Sequence, residues 1–352
     1  MSALGRGVKL AVRTPDWLGD LVMAEPVLRA LHVRVRELGG ALTLVGDVRL
    51  LEVFDGAFEG VDRASADDPR SWRGHDVALL LVNSFRSAWA AARAGVRERI
   101  GYARDVRGWL LTTSVAPARE VGAAPLGVGT PGRGERFLPR PYGAVCAELA
   151  ASLGVFVADP RPRLAPSARG REELARRLRR FELEAGKPYT LLNVGGRAGS
   201  AKAYPAQQWG AVAAALAPWR DEPLVMVCGP GEEAALHEAR AAAGQARTFA
   251  CLDPVASLAE LSALCAGASV VLTADSGPRH IANAVGARVV SLCGPSDPRH
   301  TADHLERTQL LRVALECGPC HRERCPLEGE AQHACMRRIE PESVARAALG
   351  SR

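Results

Sequence analysis

Short apolar runs alternate with helix-like segments twice over along this chain of 352 residues. In the first half, residues 9–12, 41–45 and 77–82 read as strands; in the second, residues 189–194, 224–228, 268–274 and 288–293 do. The run from Val77 to Val82 is unbroken and apolar, as in a strand buried on both faces. Such strands joined by helices build a parallel sheet. Helical spacing fills the gaps: residues 25–37, with Leu28, Leu31 and Val35 on one face, then 142–153, 171–181, 205–216, 232–242, 257–266 and 281–285. The length exceeds one comfortable domain. The expected class is therefore α/β, with two Rossmann-like doubly wound domains facing across a cleft. The boundaries predicted are 1–165 for the first domain, 166–186 for a linker and helix, and 187–352 for the second. Residues 116–141, dense in Pro, Gly and Arg and without periodicity, predict a long surface loop.

No apolar run reaches the roughly 18 to 20 residues that span a bilayer, and the first nine residues lack the apolar core of a signal peptide. A cytoplasmic protein is expected. The net charge of +6 is spread rather than blocked, and admits nucleic acid, anionic lipid or a polyanionic substrate as partner. Nine cysteines in such a chain do not read as a disulfide scaffold. Cys146, Cys228, Cys251, Cys265 and Cys293 stand singly in mostly apolar surroundings and are expected to be small buried hydrophobes.

In doubly wound sheets, ligands sit beyond the carboxyl ends of the strands, and polar turns recur there in this sequence. Asp275-Ser276-Gly277-Pro278-Arg279-His280 leaves strand 268–274 and opens a helix, offering backbone N–H groups and a positive dipole end to an anion. His280 would orient this turn or touch phosphate, with a structural histidine as the rival reading. Trp17-Leu18-Gly19-Asp20 is a second Gly-containing turn, after strand 9–12. Asp20 suits either a first-turn carboxylate or a general base that takes a proton from an attacking hydroxyl. In loop 195–202, backbone amides, Ser200 and Lys202 could converge on phosphate oxygens. Lys202 stands out because arginine supplies almost all the positive charge; Lys9 and Lys187 are the only other lysines.

That loop has neither Walker A spacing nor the Gly-x-Gly-x-x-Gly fingerprint, which disfavours a dinucleotide-dependent oxidoreductase. Glu232, after a strand and before a helix, could hold a ribose hydroxyl pair or simply mark a helix start. No Asp-x-Asp pair occurs, so a metal-bridged diphosphate has no support. Cys317, Cys320, Cys325 and Cys335 could supply four thiolates to a structural zinc, or stand as reduced cysteines outside the reaction.

Together, Thr14-Pro15-Asp16-Trp17-Leu18-Gly19-Asp20, Gly199-Ser200-Ala201-Lys202-Ala203-Tyr204-Pro205, Asp275 to Ala282, Gly294-Pro295-Ser296-Asp297-Pro298 and the Cys-rich tail form a pattern. It resembles glycosyltransferase family 9, the ADP-heptose:lipopolysaccharide heptosyltransferases, and its heptosyltransferase II branch in particular. The resemblance runs in order over nearly the whole chain. It implies a GT-B fold, with acceptor held mainly by the first domain and nucleotide sugar mainly by the second. It also implies an inverting, metal-independent transfer from ADP-heptose to an inner-core heptose of a lipid A–core oligosaccharide, with no cofactor required. On this resemblance Asp20 matches the catalytic base, Lys202 the diphosphate-binding lysine, and Asp275, Ser276, Gly277 and His280 the nucleotide-diphosphate turn. Gly19, Ser200 and Glu232 join them as expected substrate-binding residues.

Nucleic acid is then not an expected partner. Peripheral contact with the inner face of an anionic membrane is, and the basic stretch Arg97, Arg99, Arg104 and Arg107 offers itself for phosphorylated core sugars or that membrane. Fold does not fix substrate. A GT-B transferase or epimerase acting on another nucleotide sugar, or a nucleotide-sugar-binding protein without turnover, remains open at this point.

Overall fold

Each half of the chain builds a six-stranded sheet in the computed structural model, which describes residues 4–121, 135–196, 199–301 and 304–350. The described residues divide into two compact units, one running up to Val121 and from Glu135 to Arg163, the other from Leu164 onward. In the first unit, β1 (Lys9–Arg13), β2 (Ala41–Gly46), β3 (Asp62–Ser65), β4 (Val77–Leu80), β5 (Glu98–Tyr102) and β6 (Thr113–Val115) lie in the order β3-β2-β1-β4-β5-β6. Every neighbouring pair is parallel. All four residues of β4 are buried, as its unbroken apolar run requires. The helices are α1 (Leu18–Met23), α2 (Glu25–Glu37), α3 (Val48–Leu51), α4 (Phe85–Arg93) and α5 (Tyr142–Ala151). α2 buries Val27, Leu28, Leu31 and Val35 at helical spacing, while Ala88 and Ala91 of α4 pack with Ala11, Ala78 and Leu80 of the sheet.

The second unit repeats the plan with β9 (Tyr189–Asn193), β10 (Leu224–Val227), β11 (Thr248–Ala250), β12 (Ala268–Ala274), β13 (Val289–Leu292) and β14 (Thr308–Leu311), in the order β11-β10-β9-β12-β13-β14 and parallel throughout. Its helices are α6 (Ala168–Arg180), α7 (Ala206–Leu216), α8 (Glu233–Ala242), α9 (Leu258–Gly267), α10 (Gly277–Ala284), α11 (Ala334–Arg337) and α12 (Pro341–Leu349). Leu192, Met226, Leu272 and Val290 of the sheet meet Trp209, Leu216 and Leu236 in one core, which Val344 of α12 completes. α6 belongs to this packing through a buried two-point ion pair from Arg177 to Glu260 of α9, at 2.8 and 2.9 Å. Arg177 also donates to the carbonyls of Leu252 and Pro254, so the buried guanidinium is well satisfied.

In both sheets the winding reverses beside the first strand, between β1 and β4 and between β9 and β12. Crevices for ligands open at the carboxyl ends of strands at such points.

Where the structure departs from sequence expectation, it does so mainly at sheet edges. β3, β6, β11 and β14, the four edge strands, carry no continuous apolar run and are not predicted, and β5 reads as a basic stretch rather than a strand. The expected loop at 116–141 instead begins and ends in an antiparallel pair, β7 (Arg119–Val121) with β8 (Glu135–Phe137); residues 122–134 lie outside the described residues. α10 starts at Gly277 rather than at 281, because Pro278 fits a first helical turn. Among the described residues, no helix is long and apolar enough to cross a membrane.

Candidate active site

The second unit gathers most of the predicted residues at its switch point. β12 ends at Ala274, and Asp275 keeps the sheet register by donating its N–H to the Leu292 carbonyl at 2.9 Å. The helix entered here, α10, has Ser276 at its N-cap without a side-chain cap bond, and Pro278 has no N–H to give. Lys202, arriving on the loop after β9, sets its Nζ 3.3 Å from the Asp275 carbonyl. The loop is shaped by Gly199 at φ +75°, and its Ser200 hydroxyl accepts the Lys202 N–H at 3.3 Å. Arg197 and Ala198 of the same loop lie outside the described residues. An ammonium and a helix start thus share one position, as an anion site requires.

Asp275 is buried, and burial works to raise its pKa. The guanidinium of Arg279, then Lys202 and His280, outweigh that and hold the carboxyl below the usual carboxylate range. Arg279, fully buried, pairs with Asp275 Oδ1 and also donates to Thr301 Oγ1 at 3.0 Å and the Thr301 carbonyl at 2.7 Å. The other carboxylate oxygen, Asp275 Oδ2, is buried with no hydrogen-bond partner in the protein. A buried acceptor left open in this way is suited to a ligand hydroxyl.

Burial, and after it the Arg279 charge, push His280 down to about 3, so its imidazole is neutral at pH 7. The unfolded chain, with an ordinary value near 6.5, binds more protons than the native one between these limits. Stability is therefore expected to fall as the pH drops below about 6.5. A melting temperature that declines from pH 7 to pH 4, with a flatter slope in His280→Asn, is the expected record.

Glu232 is turned back onto its own loop, where Oε2 accepts the Gly229 N–H at 2.8 Å. A Cβ on Gly195 would lie 2.3 Å from that same oxygen, so a side chain there would displace the Glu232 carboxylate from its bond to Gly229. The carboxylate is thus partly committed to holding the pocket wall.

In the first unit, Asp20 lies in the first turn of α1, just beyond β1, with Gly19 beside it. Asp20 acts electrostatically on half-buried Tyr142 and buried Cys146 of α5. Burial first, then Cys146 and Asp20, raise the Tyr142 pKa, and its hydroxyl donates to the Leu81 carbonyl at 3.0 Å beyond β4. At the end of β1 itself, Arg13 holds Asp16 through two bonds of 2.7 and 2.9 Å and reaches Ser87 of α4 at 3.3 Å. The Asp20 turn is thereby fixed between β1, α4 and α5.

Sequence reasoning missed the residues that brace the surroundings of the Lys202 loop and the Asp275 turn. His321 accepts the Asp297 N–H on Nε2 at 3.2 Å and stacks edge-on against His300, 5.1 Å between centroids. Burial, then His300, lower the His321 pKa. Glu323 accepts the Ala201 N–H at 2.8 Å, so the tail that holds the cysteines straps down the Lys202 loop.

The zinc expectation is not met. Cys335 is raised to about 11 by burial first and then by its neighbours Cys320, Cys317 and Cys325, yet among the described residues no group of three or more His, Cys, Asp or Glu is arranged to hold a metal. The Cys325 sulfur instead accepts the His333 N–H at 3.3 Å. The five single cysteines are all buried, as expected.

The basic stretch also needs correction. Arg107 is fully buried on carbonyls of Tyr102, Val82 and Ser84, and Arg99 is spent on those of Leu110 and Val96, while Arg97 stays exposed in a surface pair with Asp76. Arginines that serve backbone acceptors in this way do not form a free polyanion surface.

Three comparisons bear on this geometry. The sequence profile of glycosyltransferase family 9 (heptosyltransferase) matches residues 144–331. The chain is 26% identical over 355 residues to lipopolysaccharide heptosyltransferase 2 of Escherichia coli (strain K12), covering 96% of each. Its fold matches the structure of E. coli ADP-heptose lps heptosyltransferase II with a TM-score of 0.70 at 21% identity, over 97% of this chain and 98% of that one. A glycosyl transferase family 9 structure from Veillonella parvula DSM 2008 gives 0.71 at 18% identity, over 98% and 97%. These likenesses identify the pair of doubly wound units as a GT-B fold. Because the profile spans more than half of the chain and runs through the Lys202 loop, the Asp275 turn and the bracing tail, the chain belongs to glycosyltransferase family 9, the heptosyltransferase family, and is a glycosyltransferase.

Proposed function

We propose that the protein transfers a heptose from ADP-heptose to an inner-core heptose of a lipid A–core acceptor, with inversion and without a metal. The acceptor hydroxyl attacks the anomeric carbon, the bond from that carbon to the diphosphate oxygen breaks, and ADP leaves with the electron pair. Asp20 takes the hydroxyl proton. Lys202 and the amides at the start of α10 meet the charge that grows on the departing diphosphate. Asp275 Oδ2 accepts from a hydroxyl of the bound nucleotide sugar, with Ser200, Ser276, Gly277 and His280 lining the same turn and Glu232 holding the wall beside it.

The division of labour follows the same reading. Residues 1–165 take the acceptor, 166–186 link, and 187–352 take the donor. The observation that carries the proposal is the Lys202 Nζ seated 3.3 Å from the Asp275 carbonyl at the β9/β12 switch point. A metal-free transfer accords with the donor set, since the one buried carboxylate in this turn is already paired with Arg279. The closeness in sequence to a lipopolysaccharide heptosyltransferase 2 along its whole length supports the choice of sugar and acceptor.

Lys202→Ala tests the donor side. It is expected to lower kcat/KM by roughly 10²-fold and to weaken ADP binding, as loss of a charge-assisted phosphate contact does. An unchanged ADP affinity by calorimetry would remove the phosphate role.

A further inference from the structure

Three large aromatic rings stand together in solvent at the carboxyl-end edge of the first sheet. Phe85 and Trp89 lie one helical turn apart on α4 and stack with planes 12° apart and centroids 6.4 Å apart. Trp109 closes the group, 6.1 Å from Phe85 and 6.4 Å from Trp89. Their exposures are 43%, 46% and 66%, and Val106 in the preceding loop is 86% exposed. Single exposed apolar side chains are ordinary, whereas a gathered aromatic patch marks an interaction surface.

The patch is built rather than accidental. Buried Arg107 ties the loop after β5 to the loop after β4 by donating to the carbonyls of Tyr102, Val82 and Ser84 and to Asn83 Oδ1. That clasp sets the Trp109 turn beside the start of α4, while Leu110, next in sequence, is buried against Ala88 and Ala91. The loop turns outward through Asp105 and Val106, both at positive φ, 52° and 58°. Positive φ at a β-branched residue is unfavourable, and here it projects an apolar side chain into water.

The charge beside the rings is basic. On α4, at about 100° of turn per residue, Phe85, Trp89, Arg93 and Arg86 fall on one outward arc, with both arginines exposed. Arg86 pairs with Asp67, but both partners are more than two-thirds exposed, so the pair is weak and readily exchanged for another anion. Tryptophan and phenylalanine flanked by outward arginines make an amphipathic face suited to the headgroup region of a bilayer, where rings enter the apolar boundary and guanidinium groups meet phosphate.

We infer that the Phe85, Trp89, Trp109 and Val106 patch docks the first unit onto an anionic phospholipid surface, with Arg86 and Arg93 on the headgroups. All strands of this sheet are parallel, so the patch, at the ends of β4 and β5, shares its edge with the Asp20 turn at the end of β1. Docking there brings the acceptor-side edge to a membrane. The inference goes beyond the transfer reading and does not depend on it.

The full chain is tested by co-sedimentation with sugar-free vesicles of phosphatidylcholine alone and of phosphatidylcholine with one-third phosphatidylglycerol. Binding to the anionic vesicles is expected, with a blue shift of tryptophan emission. Trp89→Ser with Trp109→Ser should weaken it at least tenfold, and Arg86→Gln with Arg93→Gln should weaken it in a salt-dependent way. Trp219→Ser, at an exposed tryptophan of the other unit, should leave it unchanged. Matching urea unfolding midpoints for all variants confirm that each is folded. Failure of the wild type to bind anionic vesicles, or undiminished binding by the double tryptophan variant, overturns the inference. So does protection of the rings by deacylated core oligosaccharide without vesicle binding, which would make the patch a sugar platform. None of these results bears on transfer, which is measured separately.

Discussion

Asp20→Ala is expected to lower the rate of sugar transfer by about 10³-fold while ADP binding stays within twofold of wild type. The reason is a separation of tasks along the chain. Asp20 sits beyond β1 in the first unit, whereas Lys202, Asp275 and the start of α10 are all in the second. On the proposed mechanism, loss of Asp20 removes the group that accepts the hydroxyl proton in the transition state and leaves the proposed diphosphate contacts untouched, so kcat should fall with little change in the donor KM. Asp16, four residues earlier, supplies the control. It is half exposed but its partner Arg13 is buried, so Asp16→Ala should loosen the turn and lower the rate, by clearly less than Asp20→Ala does. Steady-state kinetics and calorimetry with ADP decide between the two aspartates. A variant lacking Asp20 that keeps its turnover would remove the proton-accepting role altogether.

Arg279→Leu is expected to carry the largest stability loss of any single change discussed. Arg279 and Asp275 are both buried, and cutting one partner of such a pair leaves an uncompensated charge that costs about 3–5 kcal/mol. For a domain of this size that lowers the melting temperature by roughly 10 °C. The double variant Arg279→Leu, Asp275→Asn should regain most of the loss, because no buried charge is then left alone. It should not regain activity, since Asp275 Oδ2, the open buried acceptor, is the atom proposed to hold a hydroxyl of the nucleotide sugar. Thermal unfolding followed by circular dichroism reads the first effect, and transfer assays read the second. A double variant as unstable as the single one would show that the pair is not what the structure makes of it.

What could be read from the chain and what could not follows from burial. β1, β4, β9 and β12 lie in the interior of their sheets and carry the apolar runs of strands covered on both faces. The edge strands, such as Asp62–Ser65 and Thr248–Ala250, are short, partly exposed and without periodicity, so nothing in composition separates them from loops. Asp20, Lys202 and the Asp275 turn could be placed because each follows a readable strand. Arg279 could not be seen as the partner of Asp275 without the buried environment that forces the pairing. His321 and Glu323 reach the pocket through contacts with Asp297 and Ala201, far away in sequence and carrying no local signal. Arg107 shows the same limit, since a carbonyl-capped buried arginine and a solvated one have the same letter and similar neighbours.

The most direct test of the transfer reading is mass spectrometry of a truncated lipid A–core acceptor incubated with the purified protein and ADP-heptose, with ADP release followed in the same sample. The account predicts one added heptose per acceptor and ADP released in equal amount, both lost in Asp20→Ala. Release of ADP without sugar on the acceptor, or addition from another nucleotide sugar but none from ADP-heptose, would contradict it.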